Sequence, residues 1–140
     1  MLPKNNYFDK ETENIILSDK QTLMPCLNHR MNFKQKRIFG KTDDIYSVMQ
    51  SVYKILNTER YRYIIYSDDY GVEFEELFGR PISYAKAELP HRIMEALLYD
   101  DRIISVEDFK FKSEKRHCLS CEFTVNSIFG EFKIKKEVNI

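Results

Sequence analysis

The sequence predicts an α+β fold: two main helices packed on a small antiparallel sheet with a C-terminal β-hairpin, plus an extended N-terminal arm. Two segments, residues 42–57 and 84–99, space their apolar residues three and four positions apart, as amphipathic helices do. From residue 104 to the end, apolar and polar residues alternate, as they do in half-buried strands. With 140 residues, 43% of them hydrophobic, the chain is long enough for one domain with its own core.

The first third of the chain is the least regular. Residues 1–36 show weak periodicity, with a candidate short strand at residues 14–18, and we interpret them as an extended arm. The compact domain is expected to span residues 37–140. The chain starts with polar residues and has no apolar run of the ~20 residues that a membrane helix needs. We therefore expect a protein made in the cytoplasm, without a membrane partner and with its three cysteines reduced.

The first helix has clear signals at both ends. Thr42 can cap it, Asp43 and Asp44 place negative charge on its first turn, and Asn57 suits its C-terminal end. The stripe of apolar residues predicted to face the core is Ile45, Val48, Met49, Val52, Ile55 and Leu56.

The second helix is expected to begin at about Tyr84 or Pro90 and to end at Tyr99, because proline is tolerated in a first turn but not in a helix interior. Asp100 follows the helix end, where its charge is unfavourable, and Arg102 can offset it. Between the two helices, residues 61–66 are rich in aromatic and β-branched residues and predict a strand.

The last third predicts a three-stranded antiparallel meander with one buried face. A change in alternation near Glu107 and Asp108 predicts a bulge in its first strand. The residues that alternate towards the core in the later strands are Leu119, Cys121, Phe123, Val125, Phe132, Ile134, Val138 and Ile140.

The charge balance argues against a nucleic-acid partner. Lysine plus arginine and aspartate plus glutamate number 22 each, so the formal net charge is zero. A strongly basic surface is what binding to a phosphate backbone requires. A neutral chain has little colloidal repulsion, which suits a protein that works inside an assembly.

Two patterns suggest chemistry, and both have simpler interpretations. The spacing of His117, Cys118 and Cys121 resembles half a metal site, but no second ligand pair follows it, and alternation on a strand would point the two thiols to opposite faces. We therefore predict no metal, no cofactor and no catalytic residue.

An acidic cluster could supply the two carboxylates of a glycoside hydrolase, namely a muramidase-like peptidoglycan hydrolase. It would use Glu73 or Glu76 with Asp68 or Asp69 as its two carboxylates. A solvated acidic face is the interpretation that we favour, because most such clusters are not catalytic.

Two further features suggest partners. Glu59 and Arg60 lie where the first helix ends, and either an exposed local salt bridge or an interface ion pair explains them equally well. The apolar alternation of the last strand continues to Ile140, so that strand is expected to lie at a sheet edge. Lysines at positions 133, 135 and 136 would discourage self-pairing while still permitting a chosen partner strand to add.

Several motifs resemble the XkdS-type baseplate proteins of PBSX-like prophages, within the wider tail-lysozyme-like group of baseplate wedge proteins. The resemblance covers roughly residues 37–140. Its motifs are Arg37-Ile38-Phe39-Gly40, Thr58-Glu59-Arg60-Tyr61, Tyr70-Gly71, Leu77-Phe78-Gly79 and Glu95-Ala96-Leu97-Leu98.

The resemblance implies a non-enzymatic structural protein of a contractile injection machine, such as a phage tail or a phage-tail-like bacteriocin. It implies docking onto the helical core bundle of the baseplate wedge and templating of the first sheath ring by β-strand addition. The implied partners are other wedge proteins, the sheath protein and tube or hub proteins, in a tail particle assembled in the bacterial cytoplasm. The residues expected to bind partners are Glu59, Arg60, Phe132, Ile134, Lys136, Val138 and Ile140. A free cytoplasmic interaction domain of the same fold is the remaining alternative.

Overall fold

A computed structural model describes residues 26–140, and it confirms the α+β fold with two helices and small antiparallel sheets. The candidate strand at residues 14–18 lies outside the described residues. The elements in chain order are β1 (Asn28–Asn32), β2 (Arg37–Thr42), α1 (Asp44–Leu56), a 3-10 turn (Glu75–Leu77), α2 (Ile82–Leu97), β3 (Ile103–Lys115), β4 (Cys118–Ser127) and β5 (Gly130–Asn139).

The first sheet is a hairpin of β1 and β2 that is tied to α1 through one buried glutamine. Gln50 accepts a hydrogen bond from the Met31 backbone N–H (2.9 Å) and donates to the His29 carbonyl (2.8 Å). Satisfying both ends of a buried amide avoids the cost of an unpaired polar group. β1 lies in the predicted arm (1–36) and pairs antiparallel with β2 in the predicted domain. The folded unit therefore includes residues 28–36.

Helix α1 starts one residue later than its sequence suggests. Asp43, not Thr42, is the N-cap, and its carboxylate accepts from the Asp44 N–H at 2.8 Å. Most of the predicted apolar stripe is buried, but Met49 remains 36% exposed. The polar Ser47 and Gln50 are buried instead, because they face the first hairpin rather than solvent.

Helix α2 begins at Ile82, two residues before the predicted start at about Tyr84, and it runs through Pro90, so the alternative start at Pro90 is wrong. A proline in a helix interior costs about 3 kcal/mol. Leu89 and Ile93 on either side of it are fully buried, and each buried aliphatic side chain contributes roughly 1.5–3 kcal/mol. Burial on both sides of Pro90 therefore outweighs the cost of the missing N–H.

The second sheet is the predicted meander, in the order β3-β4-β5. The bulge in β3 is confirmed: the pairing register shifts between Glu107 and Lys110, and Asp108 has a φ of 57°. Phe109 of the bulge stacks on Phe123 of β4 with ring centroids 5.4 Å apart. The bulge thus turns an aromatic ring onto the central strand.

A buried ion pair joins the end of α2 to α1. The Arg102 guanidinium donates to both carboxylate oxygens of Asp100, at 2.9 and 2.6 Å, and to the Ser51 hydroxyl at 2.9 Å. The hydrogen bond that Arg102 donates to Asp100 is the main cause that raises the pKa of Arg102, against an opposing effect of burial. Asp100 is thus compensated within the core, rather than at the surface.

The predicted strand at residues 61–66 is wrong, since residues 61–70 form successive turns. Tyr61 has a φ of 66°, which is incompatible with a strand. Ile64 and Ile65 are both exposed, so the alternation that would bury one face is missing. Tyr66 stacks on Tyr70 at 4.5 Å instead of on a neighbouring strand.

Candidate functional site

Residues 61–70, which we call the tyrosine loop, form a surface loop whose two ends lie close together. Its ends meet in a parallel bridge between Glu59 and Val72. The Arg60 N–H donates to the Val72 carbonyl (3.1 Å), and the Val72 N–H donates to the Thr58 carbonyl (3.0 Å). A compact surface loop with joined ends is an arrangement that often carries function.

Glu59 stabilises the joined ends of the loop through hydrogen bonds to backbone N–H groups. Its carboxylate accepts hydrogen bonds from the Phe74 N–H, at 3.0 and 3.1 Å, and from the Glu75 N–H at 3.1 Å. These donors begin the 3-10 turn, which has no capping side chain of its own. Glu59 therefore fixes the segment that follows the loop.

The Arg60 side chain also makes its polar contacts within the protein. It donates to Glu95 of α2 at 3.1 Å and to the Gly71 carbonyl at 3.2 Å, and it lies 3.7 Å from the Glu73 carboxylate. Its side chain is only 9% exposed. Burial opposes its charge, but the hydrogen bond and charge of Glu95 outweigh burial, so the pKa of Arg60 is raised.

The side chains of Glu59 and Arg60 therefore stabilise the protein's own fold. That they also contact a wedge partner stays a prediction. The surface that they organise is the tyrosine loop, where Ile64 and Ile65 are the most exposed large hydrophobic residues of the described chain. Exposed apolar residues at the tip of a closed loop are typical of a protein-binding site.

The carboxylates considered for hydrolysis lie among arginines. Arg92 is 2.9 Å from the Glu76 carboxylate and 3.7 Å from that of Glu73. Asp68 and Asp69 are exposed on the tyrosine loop. A general acid of a glycosidase sits in an apolar cleft, and these four residues do not form one.

The cysteines occupy different environments on β4. Cys121 is fully buried, and burial raises its pKa to about 12. Cys118 is partly exposed, three positions earlier on the strand. Within residues 26–140, no three His, Cys, Asp or Glu side chains are placed to hold a metal ion.

The C-terminal residues expected to bind partners lie on the inner side of β5. Phe132 (8% exposed) and Val138 (3%) belong to the core, and Ile134 and Ile140 pack against it. Lys136 donates to the Asn57 side chain at the end of α1 (2.7 Å). These side chains therefore make contacts within the fold, and their binding to a partner stays a prediction.

A groove between the first hairpin, α1 and β5 escaped the sequence-based predictions. It has a volume of about 420 Å³, and we call it the α1 groove. Tyr46, Met49 and Tyr53 of α1 line it, together with Phe33 of the hairpin and Ile134 of β5. In the sequence, Tyr46, Met49 and Tyr53 form a second stripe at three- and four-residue spacing on α1. Of these three residues, only Met49 was predicted, and it was assigned to the core.

Two comparisons with known proteins indicate the family of the chain. The family described as "Contractile injection system sheath initiator" matches residues 7–130. The chain is also similar to "Phage-like element PBSX protein XkdS" of Bacillus subtilis (strain 168), with 30% identity over 142 aligned residues that cover 99% of this chain and 96% of the relative. In residues 26–140 we find no helix with the length and hydropathy to cross a bilayer. The motifs, the fold and these similarities together show that the chain belongs to the sheath initiator family of contractile injection systems, as a baseplate protein of the PBSX type.

Proposed function

We propose that this chain is a non-enzymatic baseplate protein that starts the sheath of a contractile tail by offering β5 as a template strand. The observation that carries the proposal is the position of β5. It pairs with β4 along its length, and no strand of the described chain pairs with its other side. An open edge of ten residues is a template for strand addition unless it is blocked.

The backbone groups on the open edge can be identified from the ladder. The Ile140 N–H donates inward to the His117 carbonyl at 2.9 Å. Since the direction of backbone groups alternates along a strand, even-numbered residues of β5 bond to β4 and odd-numbered residues face outward. Lys133 and Lys135 therefore direct their N–H and C=O groups towards the edge away from β4, while their charged side chains discourage pairing with a second copy.

The test is a proline that blocks the edge without damaging the ladder. Lys135→Pro removes an outward N–H and adds a ring at the edge, which edge strands tolerate. Lys135→Ala is the matched control, because it removes the charge and keeps the N–H. We expect baseplates that assemble with both variants but sheath formation only with the alanine. Normal sheaths on the proline variant would contradict strand addition at β5.

Deleting residues 131–140 would not be a clean test. The deletion removes Phe132 and Val138 from the core, and losing a buried phenylalanine alone costs about 3–5 kcal/mol. Loss of sheath formation would then reflect unfolding as much as a lost template.

We also propose that the tyrosine loop docks on the core bundle of the baseplate wedge, held in place by Glu59 and Arg60. The exposed pair Ile64 and Ile65 supports this role. Ile64→Asp should block incorporation into the wedge while leaving the free protein folded. Ile104→Asp, at an exposed isoleucine of β3, is the control. Incorporation of both variants at the wild-type level would reject docking through this loop.

A further inference from the structure

The lining of the α1 groove is largely apolar. Its walls carry Met31, Phe33, Met49, Tyr53 and Ile134. The volume of about 420 Å³ is well above the ~150 Å³ cavity that admits a benzene ring. The groove can therefore take more than one bulky side chain.

The charged residues at the groove are all cations. Arg30, Lys135 and Lys136 line it, and no aspartate or glutamate whose side chain is described does. Among the described side chains, Lys136 donates to the neutral amide of Asn57 and pairs with no carboxylate. Because burial lowers the pKa of Lys136, an approaching carboxylate would be favoured there. This charge pattern matches an acidic occupant and opposes a basic one.

The groove is continuous with the open edge of β5. Lys135 borders the α1 groove and also a hollow on the opposite face of the sheet, beside Lys112 and Glu122. A residue that borders both faces of a sheet does so at its edge. A strand added to β5 would therefore run along the rim of the groove, and residues flanking that strand would reach its interior.

We propose that the α1 groove is a specificity site that receives an acidic segment with bulky apolar residues, flanking the strand that the sheath subunit adds to β5. The inference rests on the proposed function. Apolar side chains of the segment fill the groove between α1 and the first hairpin, and its carboxylates pair with Arg30 and Lys136. Backbone pairing supplies affinity for any strand, while the groove selects the correct one.

Two substitutions at one position that introduce opposite charges test the site. Met49 lines the groove, is partly exposed and lies outside the core, so Met49→Glu and Met49→Lys both remove the same contact and keep the helix. We would measure binding of the purified cognate sheath subunit to the full chain. Met49→Glu should weaken binding at least about tenfold, as expected for a central interface residue. Met49→Lys should weaken it clearly less, because the added charge attracts the acidic segment. Equal losses, or a larger loss for Met49→Lys, would overturn the proposal.

Two further variants separate this inference from the proposed function. Tyr84→Glu, on the exposed surface of α2, should bind like the wild type. If Lys135→Pro abolishes binding while Met49→Glu leaves it unchanged, the groove proposal fails and the template strand stands. If Lys135→Pro binds like the wild type, strand addition fails and the groove proposal fails with it.

A cross-link identifies the occupant directly. A photo-reactive benzophenone residue at position 53, in the groove, should capture a sheath peptide that contains both carboxylates and bulky apolar residues. Capture of a basic peptide, or no capture from a sheath subunit that binds, would overturn the assignment.

Discussion

Replacing Gly71 by alanine tests whether the closure of the tyrosine loop depends on close backbone approach. Gly71 has a φ of +98°, and a Cβ there would lie 2.6 Å from the Thr58 carbonyl oxygen and 3.2 Å from the Arg60 nitrogen. Both neighbours are backbone atoms, so no side-chain rotation can relieve the contact. The added methyl must push apart the two chain segments that the bridge joins.

The expected cost has two parts. A left-handed backbone conformation costs an ordinary residue roughly 1–2 kcal/mol. The two hydrogen bonds of the bridge, between Arg60 and Val72 and between Val72 and Thr58, contribute about 1 kcal/mol each and are lost when the segments separate. Together these give about 3–4 kcal/mol, or a melting temperature lowered by roughly 12 °C for a chain of this size.

Gly79 provides the matched control. Its φ is +74°, but apart from Gly79 and its two chain neighbours no described atom lies within 4 Å of a Cβ built there. Gly79→Ala should therefore lose only the conformational part, about 1–2 kcal/mol. Thermal and urea unfolding followed by circular dichroism measure both variants. If Gly71→Ala is no less stable than Gly79→Ala, the close approach at the loop closure is not what requires glycine at position 71.

Two other perturbations probe the interior. Asp100→Ala leaves the Arg102 guanidinium buried without its carboxylate and should lower the free energy of unfolding in urea by about 3–5 kcal/mol. Asp101→Ala, at the adjacent exposed position, should change it by less than about 0.5 kcal/mol. Equal effects would reject a structural role for the buried pair. Burial raises the pKa of Cys121 to about 12 from 9.0, so the stability gained by keeping this thiol neutral is present below pH 9.0 and is lost as the pH rises towards 12. At pH 8, iodoacetamide should alkylate Cys118 well before Cys121, with Cys121 reacting only in urea, and equal alkylation of the folded protein would contradict its burial.

The elements with strong local signals were predictable from the sequence. Helix α1 follows from its apolar spacing, although its cap is Asp43 rather than the predicted Thr42, and the meander follows from alternation, including the bulge at Asp108. Both depend on periodicities that the backbone geometry imposes on any chain.

The errors arose where long-range contacts override local preference. Residues 61–66 have the composition of a strand, but the bridge at Glu59 and the stacking of Tyr66 on Tyr70 close them into a loop. Pro90 suggested a second, later start for α2, and that alternative is wrong because the burial that compensates for the proline comes from other elements. The pairing of β1 with β2 and the α1 groove likewise depend on contacts between distant segments, which a single sequence does not reveal.

The most direct test of strand addition at β5 is a cryo-electron microscopy map of the assembled particle at the first sheath ring. We expect a strand of the sheath subunit beside β5, hydrogen-bonded to the outward groups of Lys133 and Lys135. A map in which this edge faces solvent, or in which the first sheath strand pairs with β3 instead, would contradict it.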